Sequence, residues 1–344
     1  MSTLPVHFSL LLSTIEPDKE KKDLAAQLPG EVREWLKNHE YVTKSPHTRL
    51  IGSYQRSTAV GDIKDIDMLV FLPEDALDRT PNSVLLELRE TLEEYPDATA
   101  ETSRQRRSIH LAFPVEEVHL DIVPAVAEEG AEKPLKVPDH HKKEWLLSDP
   151  LGYNRELSDL NQEHSEKVVP LIKLIKTWRN VQMVNRRPKS YVLEVMVFCA
   201  VKSGKVVVED RSYAEIVTSF FQHIRDKYAD LMDNGSGVPR IYDPRLGNEI
   251  SQGWERSHFE TFMRRIRDSA HWSEKAAAAE HDEKVELWSR IFGEFWPTEE
   301  QVEKEARSMA AKLQPGVAAV TSKGSVVSSA SLGIRTRPTR FHGD

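Results

Sequence analysis

The chain has 344 residues, 39% of them hydrophobic and 30% charged, with a mean hydropathy of −0.52 and a net charge of −8. That composition supports a sizeable core in a soluble protein, built as one large domain or two packed lobes, and no apolar run reaches the ~18 residues a membrane helix needs. The basic residues are scattered apart from Arg104, Arg106 and Arg107, so long nucleic acid is not a favoured substrate or activator. A single cysteine, Cys199 in VLEVMVFCA, excludes an internal disulfide and a multi-cysteine zinc site, and reads as a buried, inert thiol. The opening MSTLPVHFSLLLSTIEPDKE lacks the basic stretch of a signal peptide, so the expected location is the cytoplasm.

Residues 6–15 predict a helix ending before Pro17, and 18–39 predict a second one that Pro29-Gly30 can split or restart. Past the proline, Val32, Trp35, Leu36 and His39 recur at helical spacing. Thr48–Ile51 predicts a short strand feeding the stretch IGSYQRSTAVGDIKDIDMLVFL, residues 51–72. Alternate side chains of a strand share a face, so Asp65 and Asp67 project together while Ile66, Met68 and Val70 face a core. Two carboxylates on one rigid face repel unless a cation lies between them, and oxygen-only ligands suit Mg²⁺, which binds substrate phosphates with the rest of its shell. Beside them Gly52 allows close backbone approach, and Ser53 offers a hydroxyl and an amide to phosphate oxygens.

After Leu72 the chain breaks at Pro73, and PNSVLLELRETLEE (81–94) predicts a helix capped by Asn82 or Ser83, with Val84, Leu85, Leu88 and Leu92 buried. SIHLAF (108–113) and VHLDIVPAV (118–126) predict a β-hairpin in which Val118, Leu120 and Ile122 alternate with His119, Asp121 and Val123. Spacing alone allows Asp121 to be either a third metal ligand or a solvent-facing residue of an edge strand.

Gly-Ser, a spacer and Asp-x-Asp on a strand resemble the DNA polymerase β-like nucleotidyltransferases. The longer form, GSYQRSTAV then DIDMLV with HLDIVPA downstream, resembles the bacterial cGAS/DncV-like enzymes that make cyclic oligonucleotide signals in anti-phage systems. The resemblance implies an α+β fold: a polymerase β-like lobe with a mixed sheet, a helical C-terminal lobe, and a long N-terminal spine helix joining them. It also implies that Asp65, Asp67 and Asp121 are the catalytic carboxylates and hold two Mg²⁺ ions, with Mn²⁺ as an alternative.

AEEGAEKPLKVPDH (127–140) predicts a loop between lobes, and 155–183 predicts one long helix adjusted at Pro170. In LIKLIKTWR, Lys173 and Lys176 share a helix face, which equally suits simple solvation. The resemblance implies that Lys176, ahead of Trp178, contacts the donor triphosphate, with Lys173 and Arg179 less closely matched. RPKSYVLEVMVFCA (187–200) also resembles the family. Lys189-Ser190-Tyr191 opens a helix whose free amides suit phosphate, so Ser190 is a triphosphate donor and Tyr191 a base-stacking residue by resemblance, although an N-cap and a core-edge aromatic explain them too. Gly52, Ser53 and Arg56 complete the implied nucleotide set, while Glu194 of KSY-x-x-E fits the family pattern without a role.

A further helix is expected over 212–232, and IYDPRLGNEI (241–250) resembles a family loop near the acceptor side, which implies that Asp243 and Asn248 shape that pocket, although turn formation explains both equally well. A helical run follows over 254–290, with Trp288, Ile291, Phe292, Phe295 and Trp296 as core. The Ser-rich, locally basic tail from Pro315 is expected to be disordered and resembles tails that meet a protein regulator or a conjugation partner. The expected divisions are a catalytic lobe over 1–135, a helical lobe over 136–314 and a tail over 315–344. The function implied is template-independent joining of NTPs, ATP first with GTP or a pyrimidine NTP as alternatives, into a cyclic di- or trinucleotide with release of pyrophosphate. A linear oligonucleotide synthetase and a catalytically silent nucleotide-binding scaffold are the competing readings. A zinc-bearing DNA-sensing synthase is disfavoured, since one cysteine with His140-His141 cannot build its metal loop.

Overall fold

The computed structural model describes residues 4–102, 107–185 and 188–312, together with two short paired strands at 318–320 and 326–328. Arg104, Arg106 and most of the tail from Pro315 lie outside the described residues. The architecture is α+β. Helices α1 (Leu4–Thr14) and α2 (Lys19–Asn38) come first, then strand β1 (Thr48–Ile51), a single turn α3 (Gly52–Gln55) and β2 (Asp65–Leu72). Helix α4 (Pro81–Glu93) leads to β3 (Thr99–Thr102), β4 (Ile109–Phe113), β5 (Val118–Val126), β6 (Leu135–Asp139) and β7 (Glu144–Ser148).

These seven strands form one mixed sheet ordered β1-β2-β5-β4-β3, with β6 joining β5 and β7 joining β6. The β2–β5 pair is parallel and sets Asp67 directly beside Asp121, and the remaining pairs are antiparallel. One face of the sheet buries Ile66, Met68, Val70, Leu120 and Ile122 against Leu28, Val32 and Leu36 of α2 and Leu85, Leu88 and Leu92 of α4. The alternation that carries those apolar residues inward carries the carboxylates outward.

Helix α2 runs unbroken through a buried Pro29, started by Asp18, whose side chain accepts from the Lys21 amide. The residues expected to form a loop at 127–140 instead include β6. Leu135 and Val137 alternate with Lys136 in strand fashion, a period that the flanking prolines conceal in the sequence.

The helical part comprises α5 (Pro150–Glu163), α6 (Val168–Gln182), α7 (Ser190–Lys202), α8 (Tyr213–Lys227), the short α9 (Ala229–Asp233), α10 (Arg256–Ala278), α11 (His281–Phe292) and α12 (Glu299–Lys312). The single helix expected over 155–183 is two, because Ser165 and Glu166 both adopt positive φ and end α5. Pro170 then falls in the first turn of α6, where its missing N–H is harmless. The run expected over 254–290 is likewise broken, between Ala278 and His281.

Helix α1 packs into this helical core: Phe8 meets Trp288, Phe292 and Trp296 edge-on at 5.0–6.0 Å between ring centroids. Cys199 is exposed rather than buried, the one outward position in the otherwise buried run Val192–Val201. No helix among the described residues is long and apolar enough to cross a membrane.

Candidate active site

The site forms where β2 and β5 meet the turn after β1. Cross-strand register places Ile51, Asp67, Asp121, His110 and Glu101 in one row over β1, β2, β5, β4 and β3. A second row holds Asp65 beside His119. Neighbouring strands lie about 4.8 Å apart, so Asp67 and Asp121 are forced close together. Burial and the nearby Asp121 push the Asp67 carboxyl up from 3.8 to about 6, Asp65 adding to the effect and Arg56 opposing it. The Asp121 Oδ1 accepts from His110 Nδ1 at 3.0 Å.

Gly52 has φ +74°, and a Cβ built on it would lie 1.8 Å from Asp67 Oδ2. The carboxylate therefore occupies the space a side chain would need, and glycine is required on both counts.

The carboxylate row fits a divalent cation in donor type and in charge, since a cation would offset both the burial and the repulsion from Asp121 that raise Asp67. Among the described residues no three His, Cys, Asp or Glu side chains converge closely enough to hold a metal ion by themselves. An ion here would take the rest of its shell from water and substrate phosphate oxygens, as Mg²⁺ commonly does.

Behind the carboxylates lies a buried polar cluster that joins the sheet to the helices. Glu194 of α7 is 1% exposed and accepts from Arg56 Nε at 2.5 Å, from Thr58 Oγ1 at 2.9 Å and from Lys176 Nζ at 2.8 Å. Lys176 of α6 also donates to the Thr58 carbonyl at 2.9 Å and to Thr58 Oγ1 at 3.0 Å, so its three N–H groups all have partners. Arg56 reaches Asn154 Oδ1 at 3.2 Å and lies over the rings of Tyr153 and Tyr191, 5.3 and 5.8 Å from their centroids. Burial alone would raise the Glu194 carboxyl, but Lys176 and Arg56 outweigh it and hold the group below the ordinary range.

The structure therefore brings together Asp65, Asp67, Asp121, Gly52 and Ser53 where the adjacent interior strands β2 and β5 meet the turn after β1, with Arg56 of that turn joined to Lys176 through Glu194. Lys176 is buried and saturated by protein partners, so in this state it secures the turn rather than facing open space. Tyr191 donates its hydroxyl to Asp243 Oδ2 at 2.8 Å, linking the base-stacking candidate to the 241–250 loop. In that loop Asp243 Oδ1 accepts from the Arg245 and Leu246 amides, and Asn248 is exposed and pairs through its backbone with Asp243.

Lys189 and Ser190 are exposed at the start of α7, and Ser190 Oγ accepts from Arg179 at 3.0 Å. Lys173 lies elsewhere, buried and paired with Glu16 in the link between α1 and α2. Of the cluster's members, Thr58, Asn154 and Tyr153 escape sequence reasoning. For Glu194 a signal existed, a carboxylate inside an apolar helix, which implies a buried and paired charge.

Comparison with known proteins finds similar sequences and similar folds. The family profile described as the Second Messenger Oligonucleotide or Dinucleotide Synthetase domain matches residues 1–161. A cyclic AMP-AMP-AMP synthase from an Acinetobacter species is 28% identical over 309 residues, covering 86% of each chain. CdnC of E. coli MS115-1, solved as a complex with HORMA-deltaN, has a similar fold with a TM-score of 0.69 at 17% identity, covering 87% of this chain and 99% of that one. The Vibrio cholerae DncV cyclic AMP-GMP synthase gives a TM-score of 0.58 at 17% identity, covering 74% of this chain and 70% of that one. Over residues 1–161 the chain is thus similar to that synthetase domain, and over most of its length it resembles a cyclic nucleotide synthase in sequence and the CdnC and DncV structures in fold.

Two predictions follow from the electrostatics. Asp67 has a folded pKa above its unfolded value, so its contribution to stability is present below about 4 and is lost as pH rises through about 6. Metal-free protein should lose stability across that window in denaturant titrations, and Asp67→Asn should flatten the slope. Glu194→Gln leaves Arg56 and Lys176 without their counter-charge and should destabilise the fold by about 3–5 kcal/mol at neutral pH, measured the same way.

Proposed function

We propose that the chain joins nucleoside triphosphates without a template and closes the product into a cyclic di- or trinucleotide, releasing pyrophosphate, as a second messenger in anti-phage defence. The observation that carries this reading is the Asp67–Asp121 pair, held side by side by parallel strands next to Gly52. The 28% identity to a cyclic AMP-AMP-AMP synthase over 86% of both chains supports ATP as the first substrate to examine.

In this reading Asp65, Asp67 and Asp121 hold two Mg²⁺ ions, with Mn²⁺ able to substitute. Bound there, the metal supplies activation of the attacking hydroxyl and neutralisation of the departing pyrophosphate. Ser53 and the turn after Gly52 bind the phosphates, and Lys189 and Ser190 at the start of α7 offer a second set of donors. Arg56 and Lys176 act from behind: anchored by Glu194, they fix the turn that carries Ser53 and add positive charge beneath the triphosphate. Tyr191, oriented by Asp243, presents its ring to a base. Positioning and electrostatics of this kind supply most of the acceleration in phosphoryl and nucleotidyl transfer. The reaction belongs in the cytoplasm, where NTPs are abundant, and the acidic surface charge favours small nucleotide substrates over long nucleic acid.

The test is pyrophosphate release from ATP, alone and mixed with the other NTPs, in the presence of Mg²⁺. Asp67→Asn and Asp121→Asn should each abolish release while leaving the thermal unfolding transition cooperative. Full activity in either variant would overturn the assignment of that carboxylate.

A further inference from the structure

His110 stands next to Asp121 in the row across the sheet, on β4 where Asp121 is on β5, and its Nδ1 lies 3.0 Å from Asp121 Oδ1. On its other side in the row is Glu101 of β3. Its ring packs against His119, with centroids 4.5 Å apart and planes 31° apart. His119 is itself fixed by register beside Asp65, and its Nδ1 is buried without a hydrogen-bond partner among the described residues. The imidazole is thus confined by a neighbouring ring and by the strands on either side.

The terminal torsion of an aspartate is broad and intrinsically loose, so a carboxylate fixed only by its backbone presents its two oxygens in many orientations. A hydrogen bond to one oxygen removes that freedom and leaves the second oxygen aimed by the first. Groups that orient a metal ligand in this way commonly control metal affinity without touching the ion.

We propose that His110 is a positioning residue for Asp121: its Nδ1–H holds Oδ1 so that Oδ2 is left for the cation shared with Asp67. The inference rests on the reading of Asp67 and Asp121 as a metal-binding pair. Among the described residues no other side-chain hydrogen bond reaches the Asp121 carboxylate, so the task falls to this histidine alone. His119 contributes by covering the face of the His110 ring and limiting its rotation.

The experiment measures Mn²⁺ binding to the full chain by electron paramagnetic resonance of the free ion. It is done with an ATP analogue whose α–β bridge cannot be cleaved, so no turnover is involved. His110→Leu removes the donor with little change in bulk, and His110→Asn keeps a donor near the Nδ1 position. His110→Leu should weaken Mn²⁺ binding by ~10–100-fold, the range seen when such orienting groups are lost, while His110→Asn stays near the parent protein.

Parent-like binding in His110→Leu would overturn the proposal. So would an equal loss in His110→Asn, which would make ring shape rather than the hydrogen bond responsible. Asp121→Asn serves as the reference: if it binds Mn²⁺ as tightly as the parent, the metal-pair reading fails first. If Asp121→Asn is weakened and His110→Leu is not, the inference about His110 fails alone. Cooperative melting of His110→Leu without metal, at the parent temperature, shows that its loss is local.

Discussion

Two like charges set side by side are the constraint around which this molecule is arranged. The parallel pairing of β2 and β5 gives Asp67 and Asp121 no choice of separation, and partial burial denies them the water that would screen their repulsion. Such a pair is stable only because the sheet beneath it is rigid. Ile66, Met68, Leu120 and Ile122 are fully buried against α2 and α4, so neither strand can slide without turning its apolar residues to solvent. The folding energy of the lobe thereby maintains an electrostatic arrangement that a bound cation would relieve, the kind of stored unfavourable term found at catalytic centres.

A second constraint ties this lobe to the helices. Glu194 gathers Arg56, Thr58 and Lys176 into one buried cluster, with the first two from the turn that follows Gly52 and the third from α6. One carboxylate between two cations leaves a net positive charge behind the turn, and the exposed side of that turn is where phosphates are proposed to lie. The cluster is costly to desolvate, but every hydrogen of the Lys176 ammonium has an acceptor, which makes the arrangement specific. Loop 241–250 is fastened to the same region, through Tyr191 to Asp243 and through Arg245 to the buried Asp149 at the start of α5. The elements that would grip a nucleotide are therefore connected to one another through protein contacts as well as through the ligand.

The sequence was informative where function depends on strand period and glycine, and silent where it depends on long-range pairing. The alternation around Asp65 and Asp67 could be read directly, as could the hairpin carrying Asp121, because both are local patterns. The need for glycine at position 52 was anticipated, although its cause, the Asp67 carboxylate filling the space of a Cβ, emerges only in three dimensions.

The sequence places Lys176 on one face of an amphipathic helix and, by resemblance, against a donor triphosphate, whereas Leu171 to Arg179 are buried all round, which periodicity alone does not reveal. The partner that buries it, Glu194, is on the next helix, and Arg56 meets that same carboxylate across 138 positions of sequence. The β6 strand was hidden by prolines, and Cys199 faces solvent from a helix whose other residues conceal that fact. The His110 contact to Asp121 was equally inaccessible, since it requires the register of β4 on β5.

The central claim is that this carboxylate pair closes a nucleotide ring. The most direct measurement is incubation with all four labelled NTPs and Mg²⁺, followed by phosphatase treatment and mass spectrometry of what survives. The account predicts a phosphatase-resistant species containing adenine, because a closed ring has no terminal phosphate to lose. Products that are all degraded to nucleosides or to linear, dephosphorylated oligonucleotides would contradict cyclisation.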